Sequence, residues 1–309
     1  MCSAERGVRC AETLINKLGS NDQLAIFTFE ETPWEPPYVC KLASLSRAHN
    51  LDFFVTSKVH EIQHLNYLKS FKPDLILLVG WRYLVPSHVY NLPSVGTFVF
   101  HDSLLPEYRG FSPTVWSMVN GESYTGASLF KISENMDEGD IFIQQKINIS
   151  ADEDIADVTN RVTDCYQDIL KQAIDCFNEG NISLTPQNHS MATYTCKRIP
   201  SDNRIDFNEP NNNIYNLIRA VTYPYSGAFC FFKGEKLTIW SAEIVEDTRN
   251  FVGKVVGRVI EIRPNEGVVV LTGDGCLLIK VVSWREFERV TADKVIKSIS
   301  DTLGSYSVI

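Results

Sequence analysis

The chain has 309 residues, 44% of them apolar, so it can bury a full hydrophobic core, and its length predicts one large domain followed by a smaller one. The formal net charge of −9 gives no overall attraction to phosphate backbones, which weighs against a nucleic-acid partner. The eight cysteines lack zinc-site spacing, and no segment resembles a secretory signal or a membrane span. We therefore expect a cytoplasmic protein with reduced thiols, no metal and no membrane contact.

The N-terminus is unusual for a doubly wound domain, because only Met1 and Cys2 precede the polar loop Ser3–Gly7 and a helical pattern that continues to Leu18. Such a domain normally begins with a buried strand. We therefore expect the numbering to begin late in the first strand. The loop would then open a helix, where backbone amides and Arg6 can bind an anionic group. A plain surface charge at Arg6 is the equally weighted alternative.

Strand and helix patterns alternate in the first third of the chain. Predicted strands cover residues 23–29, 51–56 and 73–80, and predicted helices cover residues 38–49 and 58–71. The third strand is almost continuously apolar, which is typical of a strand covered on both faces. This alternation predicts a mostly parallel sheet with helices packed against it.

The next strand carries the main candidate site. Gly96–Phe100 is a short apolar run that ends at His101, and the prolines and glycine that follow prevent regular structure. His101 should therefore lie where a buried strand opens into a loop, the place where open α/β sheets bind ligands. A strand predicted over residues 125–132 leads into a polar turn that presents Asp137. A His and an Asp on neighbouring loops can meet as an oriented acid/base pair.

The rest of the first domain is followed by a second, smaller domain. A helical segment over residues 112–120 and a strand over residues 141–150 precede a long amphipathic helix predicted from Ile155 to Phe177. Beyond a polar linker and a helix over residues 213–221, short strands separated by glycines predict a small β-barrel. These strands cover residues 228–232, 236–240, 254–262, 267–271 and 276–282. We assign residues 1–182 to the first domain, 183–202 to a linker and 203–309 to the second domain.

The motif HxSLLPxxRG, followed by NGE, TG and DxG, carries a family resemblance. These elements are His101, Ser103–Pro106, Arg109 and Gly110, Asn120–Glu122, Thr125 and Gly126, and Asp137–Gly139. In this order and spacing they resemble the folate-dependent formyltransferase family, which includes methionyl-tRNA formyltransferases, and they are most similar to its sugar N-formyltransferases. The resemblance implies a Rossmann-like, mostly parallel α/β domain followed by a small OB-like β-barrel domain.

The resemblance also implies an activity, the transfer of a formyl group from N10-formyltetrahydrofolate to a primary amine. It implies that His101 binds the formyl oxygen and shuttles the proton of the amine. Asp137 would orient the imidazole and stabilise its charged form. Ser103 would bind the acceptor or the oxyanion, and Asp102 is by default a turn residue.

Ligand contacts are implied at two further groups of residues. The folate would contact the chain at Tyr83, Leu84, Val85, Asp137, Gly139 and Asp140. Leu84 and Val85 are alternatively core residues at a helix entry, and the two interpretations are compatible because a pteridine pocket is largely apolar. The acceptor would contact Ser3, Glu5, Arg6, Ser103 and Arg109. Arg109 either pairs with a phosphate or holds its loop through carbonyl contacts.

One position departs from the family pattern. Most members carry an Asn two residues before the histidine, and here that residue is Val99. Positions i and i+2 of a strand share a face, so the Asn would point at the same substrate as His101. Valine donates no hydrogen bond to a developing oxyanion, and the loss of one such donor costs about 3 kcal/mol of barrier. We expect that Ser103 or a bound water substitutes, or that the rate is lower.

The acceptor is inferred from charge. Residues 29–38 are acidic and rich in proline, whereas methionyl-tRNA formyltransferases usually carry a basic loop there. Together with the resemblance, this favours a nucleotide-linked amino sugar, a UDP-linked 4-amino-4,6-dideoxy sugar in particular, in bacterial glycan biosynthesis. Methionyl-tRNA formylation is one alternative. A catalytically silent folate-binding relative is another, for which Val99 is the argument. The resemblance is compatible with a homodimer.

Overall fold

The computed structural model describes residues 1–32, 36–247 and 249–304. The chain forms two compact units that are interleaved along the sequence. Unit 1 consists of Met1–Gly110, Thr125–Ile147 and Asn160–Thr195, and unit 2 consists of Phe111–Tyr124, Asn148–Thr159 and Cys196–Ile309. The domain boundaries expected near residues 182 and 203 stay a prediction.

The helices and strands follow the predicted alternation. The first half of the chain contains α1 (Ala4–Lys17), β1 (Ala25–Thr28), α2 (Val39–Ala48), β2 (Asp52–Val55), α3 (Ile62–Phe71), β3 (Leu75–Leu78), α4 (Ser87–Tyr90), β4 (Gly96–His101), β5 (Arg109–Gly110), α5 (Pro113–Val119), β6 (Tyr124–Lys131) and β7 (Ile141–Asn148). The second half contains α6 (Ile155–Glu179), β8 (Tyr194–Thr195), α7 (Asn211–Val221), β9 (Ala228–Phe232), β10 (Glu235–Val245), β11 (Val259–Arg263), β12 (Gly267–Leu271), β13 (Cys276–Trp284) and β14 (Phe287–Thr291). None of the helices within the described ranges is long and apolar enough to cross a membrane.

The sheet of unit 1 confirms the expected α/β fold. Strands β1 and β2 pair in parallel, and so do β3 and β4. Strand β6 is antiparallel to β4, with His101 opposite Ser128 and Phe98 opposite Lys131. The sheet is therefore parallel through β4, and its order continues through β6 to β7.

Residues Met1–Ser3 join the two parallel strand pairs. The Cys2 N–H donates to the Phe27 carbonyl, and the Val79 N–H donates to the carbonyl of Met1, at 2.9 and 3.0 Å. The terminal amino group donates to the Leu77 carbonyl at 2.8 Å. These residues thus lie between β1 and β3 and satisfy backbone groups on both sides.

The core of unit 1 explains why these strands form where they do. A cluster of buried apolar side chains consists of Phe27, Val59, Leu68, Ile76, Leu78, Val85 and Val89. The apolar stripe of α6 is buried as its spacing predicted, with Val162 and Ala173 fully covered. Phe177 of the same helix packs against Phe98 and Phe142, with ring centroids 5.0 and 5.1 Å away.

Unit 2 contains an antiparallel sheet in the order β11-β12-β13-β10-β9, with β14 paired to β13. This confirms a C-terminal β domain, and β14 is an additional strand that the sequence pattern did not indicate. In the described residues the strands do not close into a barrel, because β9 and β11 end the order without pairing with each other. The expected second domain of β-strands is thus present, and no closed barrel is found among its described strands.

A substitution at Gly267 tests the close packing of this sheet. Gly267 has φ +147°, and a Cβ there would lie 2.0 Å from the Ile279 carbonyl oxygen. We expect Gly267→Ala to lower the free energy of unfolding by about 3 kcal/mol, because strain and overlap with backbone add. Gly253 is the matched control, since a Cβ there meets no atom within 4 Å. Equal denaturation midpoints for Gly267→Ala and Gly253→Ala would contradict the β12–β13 packing described.

Candidate functional site

His101 is the last residue of β4 and is only 7% exposed. Its Nε2 is 2.8 Å from the Tyr108 carbonyl oxygen. A carbonyl only accepts, so Nε2 carries a proton, and in the neutral ring the lone pair is therefore on Nδ1. Nδ1 lies 3.7 Å from Asp137 Oδ2. Nδ1 is therefore the atom of the ring that can accept a proton.

Asp137 lies in the loop after β6 with φ +55°. Its Oδ2 accepts the Gly110 N–H at 2.8 Å. The contact with His101 is too long for a hydrogen bond, and a neutral Nδ1 and a carboxylate oxygen both accept. Asp137 can stabilise an imidazolium at this distance. The Tyr108 carbonyl, which the sequence did not indicate, fixes the orientation of the imidazole.

Ser103 is buried in the loop that follows His101. Its hydroxyl donates to the Glu107 carbonyl at 2.6 Å, and its own carbonyl accepts from the Ser128 hydroxyl at 2.5 Å. The hydroxyl proton of Ser103 is therefore used within the loop. A contact between Ser103 and an acceptor or an oxyanion stays a prediction.

Arg109 is fully buried, and each of its five N–H groups has a partner. Nε and Nη2 donate to Gln187 Oε1 at 3.1 and 2.6 Å, and Nη2 also donates to His189 Nδ1 at 3.0 Å. Nη1 donates to the Tyr194 hydroxyl at 3.0 Å and lies 3.1 Å from Glu138 Oε1. These contacts match the loop-holding alternative, although the partners are side chains rather than carbonyls. Binding of a phosphate would require several of them to break.

Gln187 was missed because it lies in the segment expected to be a linker. Its Nε2 donates to the carbonyls of Asp137 and Gly139 at 2.8 and 2.7 Å. The same segment provides β8, which pairs in parallel with β5. These partners are 48 to 78 residues away in the chain, so no local pattern marks Gln187.

Arg6 forms an ion pair with Asp102, and the hydroxyl of Tyr166 donates to the other oxygen of Asp102. The Arg6 guanidinium also lies 5.7 Å from the centre of the Tyr166 ring. Asp102 is therefore more than a turn residue, and Arg6 is not a plain surface charge. Burial alone would raise the pKa of Asp102, but the Arg6 charge and the Tyr166 hydrogen bond outweigh it and lower that pKa.

The expected loop Ser3–Gly7 is corrected by the structure, because α1 already begins at Ala4. The Ser3 hydroxyl is buried and donates to the Gly80 carbonyl at 2.6 Å. Glu5 is exposed and accepts from Lys41 Nζ at 2.7 Å. Contacts of Ser3 and Glu5 with an acceptor stay predictions.

The residues expected to contact the folate differ in exposure. Leu84 is 83% exposed and Tyr83 45%, whereas Val85 is buried in the core. The Tyr83 ring packs edge-on against Phe29, with centroids 4.9 Å apart. Exposed apolar and aromatic surface just after β3 fits the face of a flat heterocycle.

The loop with Gly139 and Asp140 provides backbone groups. A Cβ at Gly139 would lie 1.7 Å from the Lys131 carbonyl oxygen, so no side chain fits there. The Asp140 carbonyl accepts from the Lys131 N–H at 2.9 Å. Folate contact at both residues stays a prediction. Among the described side chains, no group of three or more His, Cys, Asp and Glu residues could hold a metal ion.

The Asp102 ion pair can be tested by stability against pH. We expect Asp102→Asn to cost about 3 kcal/mol at pH 7, because it leaves Arg6 mostly buried without its counter-charge. The lowered pKa means that the stabilisation is present above the unfolded-state pKa of about 3.9 and is lost as the pH falls through the folded-state value. Denaturant unfolding of both proteins should therefore show a difference that is constant near neutrality and shrinks below about pH 4.

The matched control for this measurement is the exposed pair Arg9–Asp164. Asp164→Asn should cost less than about 1 kcal/mol, because an exposed pair is screened by water. A cost for Asp102→Asn no larger than that of Asp164→Asn would contradict the buried ion pair.

Known proteins resemble the chain over most of its length. The family model for formyl transferase matches residues 19–174, and the family model for the formyl transferase C-terminal domain matches residues 198–300. A methionyl-tRNA formyltransferase from Sulfurihydrogenibium sp. (strain YO3AOP1) is 32% identical over 257 residues, which is 83% of this chain and 81% of that protein.

Two solved structures show the same fold at low sequence identity. The N-formyltransferase from Helicobacter canadensis, solved with folinic acid and dTDP-3-aminofucose, is 17% identical with a TM-score of 0.69, and the match covers 90% of this chain and 96% of that one. HypX from Aquifex aeolicus, solved with tetrahydrofolic acid, is 18% identical with a TM-score of 0.62, and the match covers 90% of this chain. This chain spans about half of HypX, 48% of its length. The two family matches and the 32% identical relative show that the chain belongs to the formyl transferase family, folate-dependent enzymes that use N10-formyltetrahydrofolate.

Proposed function

We propose that the chain transfers a formyl group from N10-formyltetrahydrofolate to the amino group of a nucleotide-linked amino sugar. The predicted acceptor is a UDP-linked 4-amino-4,6-dideoxy sugar of bacterial glycan biosynthesis. The observation that carries the reaction is the placement of His101 Nδ1 3.7 Å from the Asp137 carboxylate at the carboxyl end of β4. A cytoplasmic location and a homodimer belong to the same proposal.

His101 acts on the proton of the amine. Bound co-substrate supplies the formyl carbon. As the new N–C bond forms, Nδ1 takes the proton that the amine loses, and it returns this proton to the folate nitrogen as the old N–C bond breaks. Asp137 stabilises the positive charge that the ring carries in between, and the Tyr108 carbonyl holds the ring through Nε2. The expected contact of His101 with the formyl oxygen belongs to the stage at which Nδ1 carries the proton of the amine, because Nε2 already donates to the Tyr108 carbonyl.

Val99 does not supply the hydrogen-bond donor that the developing oxyanion needs. Its side chain packs, partly buried, against the core cluster around Leu78 and Val85 and offers no donor for the formyl oxygen. Of the two predicted substitutes, the Ser103 hydroxyl already donates to Glu107. A bound water therefore fits the geometry better as the missing donor.

The amino-sugar acceptor is supported by charge and by a full-length structural match. The chain is acidic, with a net charge of −9, and the Helicobacter canadensis enzyme that bound dTDP-3-aminofucose matches 90% of it. The acidic segment 29–38 lies partly outside the described residues. Methionyl-tRNA is the second candidate, favoured by the 32% identity to a methionyl-tRNA formyltransferase.

An acceptor panel tests this proposal. Protein and N10-formyltetrahydrofolate are incubated with UDP-, dTDP- and GDP-linked amino sugars or with initiator methionyl-tRNA, and mass spectrometry detects formylated products. We expect a formylated nucleotide sugar. Formylation of tRNA alone, with binding that weakens steeply in salt, would overturn the sugar proposal. Folate binding without any product would instead support the catalytically silent alternative.

Variants test the roles of His101 and Val99. His101→Ala should lower kcat by a factor of about 10² to 10⁴, because it removes the group that moves the proton. Val99→Asn should raise kcat by up to about tenfold, because a fixed amide is a better donor than a mobile water. Val99→Ala, which adds no donor, is the control. A kcat for His101→Ala within about twofold of wild type would exclude the proposed role.

A further inference from the structure

The loop that carries Asp137 has to run back along the sheet to reach His101. Strand β6 is antiparallel to β4, so its last residue, Lys131, pairs with Phe98 rather than with His101. Residues 133–140 then turn without regular structure. Asp137 itself has φ +55°, a left-handed conformation that Asp adopts more readily than most L-residues.

Gln187 holds the backbone of this loop. It is 6% exposed, and its amide donates to the carbonyls of Asp137 and Gly139 while it accepts twice from Arg109. Two donors and two lone pairs are the full capacity of an amide side chain. A saturated, buried amide fixes the positions of the groups that it joins.

The segment that Gln187 joins to the loop contacts both members of the acid/base pair. Its Tyr108 carbonyl accepts from His101, and its Gly110 N–H donates to the Asp137 carboxylate. Arg109 lies between these two residues and carries the side chain that Gln187 accepts from. The amide therefore links the backbone of Asp137 to the segment that orients His101.

We propose that Gln187 is a positioning residue for formyl transfer: it keeps the Asp137 carboxylate beside His101 Nδ1 by holding the Asp137 and Gly139 carbonyls. This inference rests on the proposed roles of His101 and Asp137. Gln187 touches neither substrate nor the reacting atoms in this account. Its effect is exerted through the distance between the two side chains.

Steady-state kinetics of Gln187→Ala give the first test. We expect kcat to fall by about 10- to 100-fold while KM for both substrates stays within about threefold, because the carboxylate acts on the transition state. Gln167 is the matched control, since its amide donates to Thr13 Oγ1 and accepts from Arg9, away from the Asp137 loop. Gln167→Ala should keep kcat within about twofold. A wild-type kcat for Gln187→Ala would overturn the proposal.

Gln187→Glu separates the bonds that Gln187 accepts from Arg109 from the bonds that it donates to the loop carbonyls. A carboxylate still accepts from Arg109 but has no N–H to donate to the carbonyls of Asp137 and Gly139. We therefore expect a loss of kcat at least as large as in Gln187→Ala, because the second carboxylate oxygen would face these two carbonyl oxygens without a hydrogen to donate. Full activity of Gln187→Glu would show that the bonds to the carbonyls do not position Asp137.

A double-mutant cycle with Asp137→Asn distinguishes positioning from a general structural role. If Gln187 acts through the Asp137 carboxylate, Gln187→Ala should change kcat by less than about twofold in the Asp137→Asn background. Independent losses that multiply would overturn the proposal.

Hydrogen exchange separates this inference from the proposed function, because it needs no substrate. In Gln187→Ala, faster exchange is expected at residues 108–110 and 137–139, since the Gly110 N–H donates to Asp137. That result without formylation of any acceptor would support the positioning and refute the function. Formylation by Gln187→Ala at the wild-type rate, with unchanged exchange, would support the function and refute the positioning role.

Discussion

The hydrogen bond from His101 Nε2 to the Tyr108 carbonyl is the interaction on which the candidate site depends. It places a proton on Nε2, so that in the neutral ring the nitrogen with the lone pair is Nδ1, which lies 3.7 Å from Asp137 Oδ2. Because the partner is a backbone carbonyl, the ring is held without a charge at Nε2, and the carboxylate acts only at Nδ1. Tyr108 has φ +56°, so the orientation of its carbonyl depends on a conformation that its neighbours maintain.

The charged residues near this site are largely paired with other side chains of the same chain. Arg109 is buried with side-chain partners for every N–H group, and Arg6 pairs with Asp102 beside Tyr166. A buried charge without a partner costs several kcal/mol, so these pairs are a condition of folding as much as of function. An anionic acceptor could contact Arg109 only if several of its contacts broke.

Sheet topology explains why a segment expected to be a linker becomes part of the site. An antiparallel β6 ends far from His101 along β4, so the Asp137 loop needs an external anchor to return. Gln187 and β8 provide that anchor, and both lie in the chain after α6. The Asp137 loop and the residues that hold it thus come from separate parts of the sequence that meet only when unit 1 is folded.

The sequence by itself determined the parallel strands of unit 1, the buried stripe of α6, the position of His101 at the end of β4 and the family, because local apolar periodicity and ordered motifs record them. Only the tertiary structure decided the partner of His101, the pairing of Arg6 with Asp102 and the clamp at Gln187. It also decided the order of the C-terminal strands in their sheet and the pairing of the short strands β5 and β8. The physical reason is separation: these contacts join residues 48 to 96 positions apart or depend on single backbone carbonyls, and neither leaves a local pattern in the sequence.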